Sequence, residues 1–291
     1  MKIKTAEFYL VIVSIIAAAG WLFSKNALQY IPPYTFIALR FSIAAVVLMM
    51  FCLPQLRGLT IGQCVRSMST GIVLGVTLSL WVVGLQQTKS IGESAFIVSL
   101  TVVVVPVIGR LLFSESVSLS LFFALFPALI GLALLTVDNG FVIEAEQWVF
   151  LLVTIGFALH LNLSRYLVRE VPSLANTSIQ LVMVALVSAV AAALWEQWTF
   201  QFSKFGWGWL LVSAVVATSF RFSLQNHALQ KMIPSHASII LLMEPVWTAV
   251  LGVVFLNEFL SVNRLLGCFL IFFALIVYKW KAINVWIKTV L

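Results

Sequence analysis

The sequence predicts an all-α integral membrane protein: ten transmembrane helices in two inverted five-helix repeats, with both termini in the cytoplasm. Three observations support this fold class: the composition, the number of long apolar segments and an internal repeat. Of the 291 residues, 62% are hydrophobic and only 9% are charged, whereas soluble domains carry about 25% charged residues. A helix needs about 20 apolar residues to cross the hydrocarbon core of a bilayer. Ten such helices account for most of the chain, so the sequence predicts one membrane domain with short loops.

Ten apolar segments supply the predicted helices. The segments lie at residues 7–25, 34–53, 67–87, 93–112, 119–137, 147–168, 175–195, 207–227, 236–256 and 263–281. They are continuous rather than alternating, and backbone groups in lipid are satisfied only in helices or closed barrels, so helices are predicted. The first segment follows Lys2 and Lys4 as in a signal peptide. Its apolar run continues beyond the small residues at 17–19, which favours a first transmembrane helix.

Basic residues set the predicted orientation. Of the 17 Lys and Arg residues, Arg40 lies inside an apolar segment. With the N terminus inside, twelve of the others fall on the cytoplasmic side and four on the outer side, namely Lys25, Lys89, Lys204 and Arg264. Because cytoplasmic loops carry the excess of Lys and Arg, both termini are predicted to be cytoplasmic. The basic residues are dispersed singly and form no stripe, which argues against binding of nucleic acid.

An internal repeat relates the two halves of the chain. The matched pairs are Lys25 with Arg165, Pro32 with Pro172 and Arg40 with Gln180 at an offset of 140, and Gln87 with Gln230, Glu115 with Glu258 and Ser118 with Ser261 at an offset of 143. Each half holds an odd number of helices, so the second half enters the membrane upside down relative to the first. The predicted repeats are residues 1–138 and 139–291, which together form one membrane domain. Inverted repeats around a site at the membrane midplane are typical of secondary transporters.

Several short motifs in the second half carry a resemblance to a known family. They are Ala-Thr at 217–218, Leu-Gln-Asn-His-Ala-Leu-Gln at 224–230, Pro-Ser-His-Ala at 234–237, Leu-Met-Glu-Pro-Val at 242–246 and Phe-Leu-Asn-Glu at 255–258. The first half has a partner stretch, Ala-Phe-Ile-Val-Ser-Leu-Thr at 95–101, followed by Pro106. With these motifs the chain resembles, over essentially its whole length, the EamA-type family of the drug/metabolite transporter superfamily.

The resemblance implies a ten-helix fold with a central substrate cavity between the halves. Members of the family export amino acids and other metabolites, so the resemblance does not fix a substrate. The small four-helix multidrug members of the superfamily use a membrane-embedded carboxylate in their first helix for proton coupling. Here the only carboxylate in the first segment is Glu7, at the cytoplasmic end of that segment. Multidrug–proton exchange by that route is therefore not expected.

Eight polar or aromatic residues are candidates for substrate binding. They are Trp21, Arg40, Trp81, Gln86, His160, Arg221, Glu244 and Trp247. An ionisable residue at membrane depth costs about 2.5–3.5 kcal/mol on insertion scales, so each needs a function or a route to the interface. Arg40 and Arg221 either extend to the interface or contact substrate, where a planar guanidinium suits a carboxylate. Glu244 is a candidate to bind a proton, an amine, Arg221 or a backbone group.

The other candidates have equally open alternatives. His160 either packs between helices or takes part in proton coupling, since histidine changes charge near neutral pH. Gln86 is either a substrate contact or a polar contact between helices. The three tryptophans either line the cavity, where their faces suit cations, or face lipid. Pro106 and Pro245 are predicted hinges, because proline removes a backbone hydrogen bond and lets a helix bend.

Several kinds of site are not indicated by the sequence. It contains no phosphate-binding glycine loop, nucleophile elbow, metal-ligand cluster or pair of catalytic carboxylates. The three cysteines, Cys52, Cys64 and Cys268, have no metal-binding spacing. We therefore predict no catalytic residues, no metal and no cofactor, and no ATP-driven transport by this chain alone.

The sequence and the resemblance together predict a secondary active or facilitative transporter in the cytoplasmic (inner) membrane. The expected substrates are small organic metabolites, with amino acids or related compounds first and export the favoured direction. The expected partners are the substrate, a coupling proton or ion, and membrane lipid, with the chain acting as a monomer. Two alternatives stay open: an importer of a scavenged metabolite with the same fold, and a membrane-embedded lipid-handling enzyme.

Overall fold

The computed structural model describes residues 3–114, 119–136, 143–197, 201–229, 237 and 240–290. The helices are α1 (Ile3–Ala27), α2 (Pro33–Arg57), α3 (Ile61–Gln87), α4 (Ile91–Ser99), α5 (Thr101–Phe113), α6 (Leu119–Thr136), α7 (Ala145–Leu167), α8 (Ser173–Trp195), α9 (Lys204–Ala214), α10 (Arg221–Leu229), α11 (Glu244–Leu256) and α12 (Val262–Val290). The described part of the chain contains no strand. Eight helical runs in it are long and apolar enough to cross a membrane, and two shorter apolar helices lie at Leu121–Leu135 and Glu244–Leu256.

These helices confirm the prediction of an all-α integral membrane protein. The inverted arrangement of five plus five helices and the cytoplasmic location of the termini stay predictions. The predicted boundary between the repeats, at residues 138 and 139, lies outside the described residues, as does Glu115.

The helix ends repeat at the offsets found in the sequence. Helices α1 and α7 end at Ala27 and Leu167, and the helices that follow begin directly after Pro32 and Pro172. Proline at this position is favourable because the first helical N–H groups have no partner within the helix. These ends lie 140 residues apart in the chain.

From α3 onward the equivalent helix ends are 143 residues apart. The side chains of Thr60 and Ser203 accept hydrogen bonds from backbone N–H groups three residues later, and so cap the first turns of α3 and α9. Ser114 and Asn257, which end α5 and α11, both have left-handed backbone conformations, with φ of 55° and 53°. Their N–H groups donate to the carbonyl oxygens of Gly109 and Gly252. The repeat is therefore visible in the geometry of the helix ends.

Besides a kink at Cys52 in α2, three helical spans are interrupted within the described part of the chain. The span Ile91–Phe113 is divided at Leu100, between α4 and α5. There the backbone N–H of Leu100 donates a hydrogen bond to the carbonyl oxygen of Ile97, three residues earlier, at 3.1 Å. The matched position in the second half is Met243, and residues 242–243 form a turn directly before α11. The third interruption is a π-helical segment at Val215–Phe220, between α9 and α10. Such segments occur frequently at functional sites.

Most of the extensive helix packing joins one half of the chain to the other. Helix α2 packs along α8, α3 packs against α7 and α8, α6 packs along α12, and α11 packs against α1 and α4. Small residues permit the close approach of α6 and α12: a Cβ atom added at Gly131 would lie 2.8 Å from the carbonyl oxygen of Gly267, and the converse distance is also 2.8 Å. The core is thus built between the halves rather than within each half.

Candidate functional site

A cavity of about 180 Å³ lies between the two halves of the bundle. Helices α1, α2, α3 and α4 line it from the first half, and α7, α8, the π-helical segment, α10 and α11 line it from the second. Its wall is mostly apolar, with a few polar side chains, as in typical small-molecule sites. We take this cavity as the candidate substrate site.

Many residues that line the cavity are related by the internal repeat. The matched pairs, at offsets of 140 or 143, are Ala17 with Phe157, Phe41 with Leu181, Leu74 with Ala217 and Leu78 with Arg221. Thr101 and Glu244 form a further pair around an adjoining cavity. Equivalent helices therefore present equivalent faces to the cavity, although the side chains at these positions differ in charge.

Glu244 and Trp21 meet across the cavity. The indole Nε1 of Trp21 donates a hydrogen bond to Oε1 of Glu244 at 3.3 Å. The same indole ring packs edge-to-face against Trp81, with ring centroids 5.1 Å apart and an interplanar angle of 78°. This geometry is favourable for aromatic pairs. The two rings thus present an aromatic surface beside the carboxylate.

Arg221 supplies the positive charge at the same cavity. It interacts electrostatically with Glu244, yet among the described residues no ion pair within 4.0 Å joins the two side chains. Its Nε donates to the carbonyl oxygen of Ala217 at 3.1 Å, and its guanidinium carbon lies 4.4 Å from the ring centroid of Phe222. The cavity is therefore lined by two opposite charges that do not neutralise each other directly.

Arg40 also borders the cavity, and two of its hydrogen-bond donors are used within the protein. Nε donates to Oγ1 of Thr218 at 3.0 Å, and one terminal nitrogen donates to Oγ of Ser24 at 2.7 Å. The side chain is only 8% exposed and also contacts the rings of Phe36 and Phe41. These contacts connect α1, α2 and the π-helical segment.

The cavity is closed at one end and continues at the other. Along α1 and α3, the last residues that line the cavity are Trp21 and Trp81. On the opposite side it adjoins a second cavity of about 400 Å³, which is bordered by Leu161 and Leu241. Trp21, Arg221 and Glu244 border both cavities. In the predicted orientation, the second cavity lies on the cytoplasmic side.

The structure brings five of the eight candidate residues to the cavity, namely Trp21, Arg40, Trp81, Arg221 and Glu244. The other three lie elsewhere. Gln86 is exposed in the last turn of α3, and its carbonyl oxygen accepts a hydrogen bond from Lys25. His160 is buried between helices, where Nδ1 lies 3.1 Å from the carbonyl oxygen of Thr70. The indole nitrogen of Trp247 is buried and, within the described residues, has no hydrogen-bond partner.

The two predicted hinges lie next to the interruptions in their spans. Pro106 lies inside α5, six residues after the break at Leu100. Pro245 is in the first turn of α11, directly after the turn at 242–243. In that first turn, a missing N–H removes no helical hydrogen bond. The bending role of both prolines stays a prediction.

Sequence reasoning did not select the residues that hold the charged side chains in place. Ser24 and Thr218 bind Arg40, and the π-helical segment carries both Ala217 and Thr218 to the cavity wall. The sequence signal that could have found this segment is its position in the repeat, because Ala217 matches Leu74 at the offset of 143. Within the described residues, no group of three or more His, Cys, Asp or Glu side chains is placed to hold a metal ion.

Comparison with known proteins matches both halves to one family. The sequence model of the EamA-like transporter family matches the chain twice, at residues 4–137 and at residues 146–279. The chain belongs to the EamA-like transporter family. It therefore consists of two repeats of this family, which is part of the drug/metabolite transporter superfamily. As an EamA-like protein with many apolar helices, it is a multi-pass integral membrane protein and a membrane transporter.

Two individual proteins are similar to this EamA-like chain. A protein of Bacillus subtilis (strain 168) called the uncharacterized transporter YoaV is 24% identical over 274 residues, which cover 89% of this chain and 91% of that protein. A protein of known crystal structure has a TM-score of 0.63 at 17% identity, covering 94% of this chain and 98% of that chain. At this level of identity, the crystal structure supports the fold alone.

Proposed function

We propose that this EamA-like protein is a secondary active or facilitative transporter of small organic metabolites in the cytoplasmic membrane. Amino acids and related compounds are the first choice of substrate, and export is the favoured direction. The substrate binds in the central cavity, which opens alternately to either side of the membrane. One chain supplies both repeats and the whole cavity, which supports a monomer as the functional unit.

The observation that carries this proposal is the pair of opposite charges at one small cavity. Arg221 and Glu244 border it without an ion pair between them within the described residues. An amino acid carries a carboxylate, which suits the planar guanidinium of Arg221. It also carries an ammonium group, which suits Glu244 and the faces of Trp21 and Trp81. A zwitterion therefore satisfies both charges, whereas a neutral solute leaves both unpaired.

The part of the cavity that both charges and both tryptophans line is small, and the adjoining cavity that Trp21, Arg221 and Glu244 also border adds about 400 Å³. Pockets for drug-sized ligands occupy about 300–1,000 Å³, and the cavity lined by both charges and both tryptophans occupies about 180 Å³. Leu74, Leu78 and Leu181 contribute an apolar wall to the same cavity. This wall suits an uncharged side chain or carbon skeleton better than a second charged group.

Alternating access requires parts of the bundle to move relative to one another. The interruptions at Leu100 and at 242–243 lie in matched positions of the two halves. Pro106 lies six residues after the first interruption, and Pro245 lies two residues after the second. Discontinuous helices at the substrate site are typical of transporters built from inverted repeats. We propose that these two points act as hinges.

A thermal-shift screen of the detergent-purified protein against amino acids, amines, nucleosides and sugars tests the proposal. A ligand that binds only the folded state raises its apparent stability by mass action. We expect stabilisation by an amino acid, loss of that stabilisation in Glu244→Gln, and its retention in Glu170→Gln, which changes an exposed carboxylate. A ligand from another class would overturn the choice of amino acids. An unchanged response in Glu244→Gln would place the binding site elsewhere.

A further inference from the structure

The junction between α3 and α4, residues 88–91, is held by a lysine from another helix. Nζ of Lys25, on α1, donates hydrogen bonds to the carbonyl oxygens of Leu85 at 2.9 Å, Gln86 at 3.1 Å and Thr88 at 2.6 Å. The last carbonyl groups of a helix lack partners within the helix and carry partial negative charge. Lys25 therefore caps the C-terminal end of α3 from a different helix of the same chain.

A glutamate from the second half holds the other side of this junction. The carboxylate of Glu258, just after α11, accepts a hydrogen bond from the backbone N–H of Ile91 at 2.7 Å and from Oγ of Ser90 at 2.8 Å. The first N–H groups of a helix favour a negative charge. Glu258 therefore caps the N-terminal end of α4, again from a different part of the same chain. Lys25 and Glu258 also attract each other electrostatically.

This pair of caps lies beyond the closed end of the central cavity. On α1, Lys25 follows Trp21 by one helical turn, and on α3 Leu85 follows Trp81 by one turn. Leu85 and Ile91 are fully buried, and the lining of the cavity ends at the two tryptophans. Two layers therefore close this end: the aromatic pair, and beyond it the junction with its two charged caps.

The two caps come from elements that also carry cavity residues. Lys25 is on the helix of Trp21, and Glu258 follows the helix of Glu244. When α1 moves away from α3, the contact between Trp21 and Trp81 and the three hydrogen bonds of Lys25 must break together. When α11 moves away from α4, the two hydrogen bonds of Glu258 must break. Opening this end of the cavity thus requires release of one or both caps.

We propose that Lys25 and Glu258 are the gate residues that keep this end of the substrate cavity closed, and that their release opens it. The proposal rests on the proposed transport function and adds the positioning residues that govern access. The two side chains touch neither the cavity nor a substrate within it. They act by holding the α3–α4 junction against α1 and α11.

Accessibility of a single cysteine tests the gate without a known substrate. The background variant has Cys52, Cys64 and Cys268 replaced by Ala, and Ala17→Cys places the only thiol in the cavity wall. A membrane-impermeant maleimide is added to sealed vesicles from the side of the α3–α4 junction, and the labelling rate is measured. We expect slow labelling in this background, and labelling about tenfold faster with Lys25→Met or Glu258→Gln, because charge-assisted hydrogen bonds are lost.

A matched control and a rescue variant separate gating from general loosening. Lys89 is in the same junction, but its side chain is 73% exposed and pairs with Glu144 at 3.3 Å. Lys89→Met should leave the labelling rate within about twofold of the background, because exposed ion pairs contribute little. Lys25→Arg, which keeps the charge and the donors, should restore slow labelling. Size-exclusion profiles of all variants verify that the proteins are folded.

The possible outcomes are distinct. Unchanged labelling in folded Lys25→Met and Glu258→Gln would overturn the gate, and so would equal acceleration in Lys89→Met. Should Lys25→Met not fold, Glu258→Gln and Gly252→Ala decide the question, since a Cβ atom at Gly252 would lie 2.5 Å from Oε2 of Glu258 and displace that carboxylate. The labelling does not depend on a solute. A failed ligand screen with accelerated labelling therefore rejects the proposed substrate while leaving the gate intact.

Discussion

The third and eighth spans of the molecule occupy equivalent places in the two repeats, yet they line the cavity differently. Helix α3 is an unbroken α-helix that presents Leu74 and Leu78 to the cavity. At the offset of 143, the eighth span presents Ala217 and Arg221, and the π-helical segment Val215–Phe220 interrupts it. The third span thus supplies an apolar wall, and the eighth span supplies a charge.

The same difference recurs at other matched positions. Arg40 is matched by Gln180, and Glu244 is matched by Thr101. The backbone of the two repeats is alike at the helix ends, while the charges occur in only one member of each pair. A symmetric scaffold with an asymmetric set of charges binds a polar substrate in one orientation, because the alternative orientation would bring like charges together. This comparison teaches that the repeat gives the cavity its matched helix faces, whereas the departures from symmetry give the cavity its charges.

Making the eighth span resemble the third gives the largest expected effect. Arg221→Leu places at this position the residue that the first repeat has at Leu78. We expect transport of the substrate identified in the screen to fall about 100-fold, because a charge-assisted hydrogen bond to the substrate carboxylate is lost and that carboxylate is left unpaired. Counterflow in proteoliposomes measures the rate.

Leu78→Met is the matched control for Arg221→Leu. It changes the equivalent position while conserving volume and polarity, so transport should stay within about threefold of the unaltered rate. A folded Arg221→Leu protein that transports at the original rate would show that the charge asymmetry at this pair has no role in substrate binding.

The corner between α1 and α2 provides a second, smaller test. Arg40 donates to Ser24, and its counterpart Gln180 donates to Ser164 at 3.3 Å, so both repeats hold this corner by a similar bond. Arg40→Gln should keep a bond to Ser24 but lose the charge and the bond to Thr218. We expect a decrease of about 2 kcal/mol in stability, seen as a lower apparent Tm in detergent.

Lys204→Gln serves as the control for Arg40→Gln, because it removes an exposed cation at the start of α9. Its apparent Tm should match that of the unaltered protein. An Arg40→Gln variant with an unchanged Tm but no ligand stabilisation would instead assign Arg40 to the substrate.

The smallest expected effect is at His160, which matches Gly20 in the first repeat and lies away from the cavity. In the described part of the chain, its ring makes one hydrogen bond, with the carbonyl oxygen of Thr70. His160→Gln should cost about 1 kcal/mol of stability and leave the transport rate within about twofold between pH 6 and pH 8. A changed pH profile of transport would identify His160 as a coupling group.

The helices and the repeat could be predicted from the sequence because their signals are local and additive. Long apolar segments define spans, and the matched prolines Pro32 and Pro172 directly precede helices in the two halves. Charges and tryptophans inside a span were also informative. Trp21, Arg221 and Glu244 are costly or bulky enough that few positions accommodate them, and all three reach the cavity.

The remaining features depend on contacts that a single sequence does not display. The break at Leu100 lies in an ordinary apolar stretch, and the residues of the π-helical segment do not differ in type from those of the neighbouring α-helices. Gln86 and Trp247 are in the correct spans but on faces away from the cavity, and the rotation of a helix is decided by its neighbours. The capping contacts of Lys25 and Glu258 likewise appear only once α1, α3, α4 and α11 are packed together.

The predominance of packing between the halves has a consequence for biosynthesis. When the first five predicted helices have entered the membrane, α2, α3 and α6 still lack their main partners α8, α7 and α12. Arg40 has Ser24 but not yet Thr218. At about 5–20 residues per second, synthesis of the second half takes roughly 8–30 s. During that time the polar groups and small-residue surfaces of the first half lack the partners that cover them in the complete bundle.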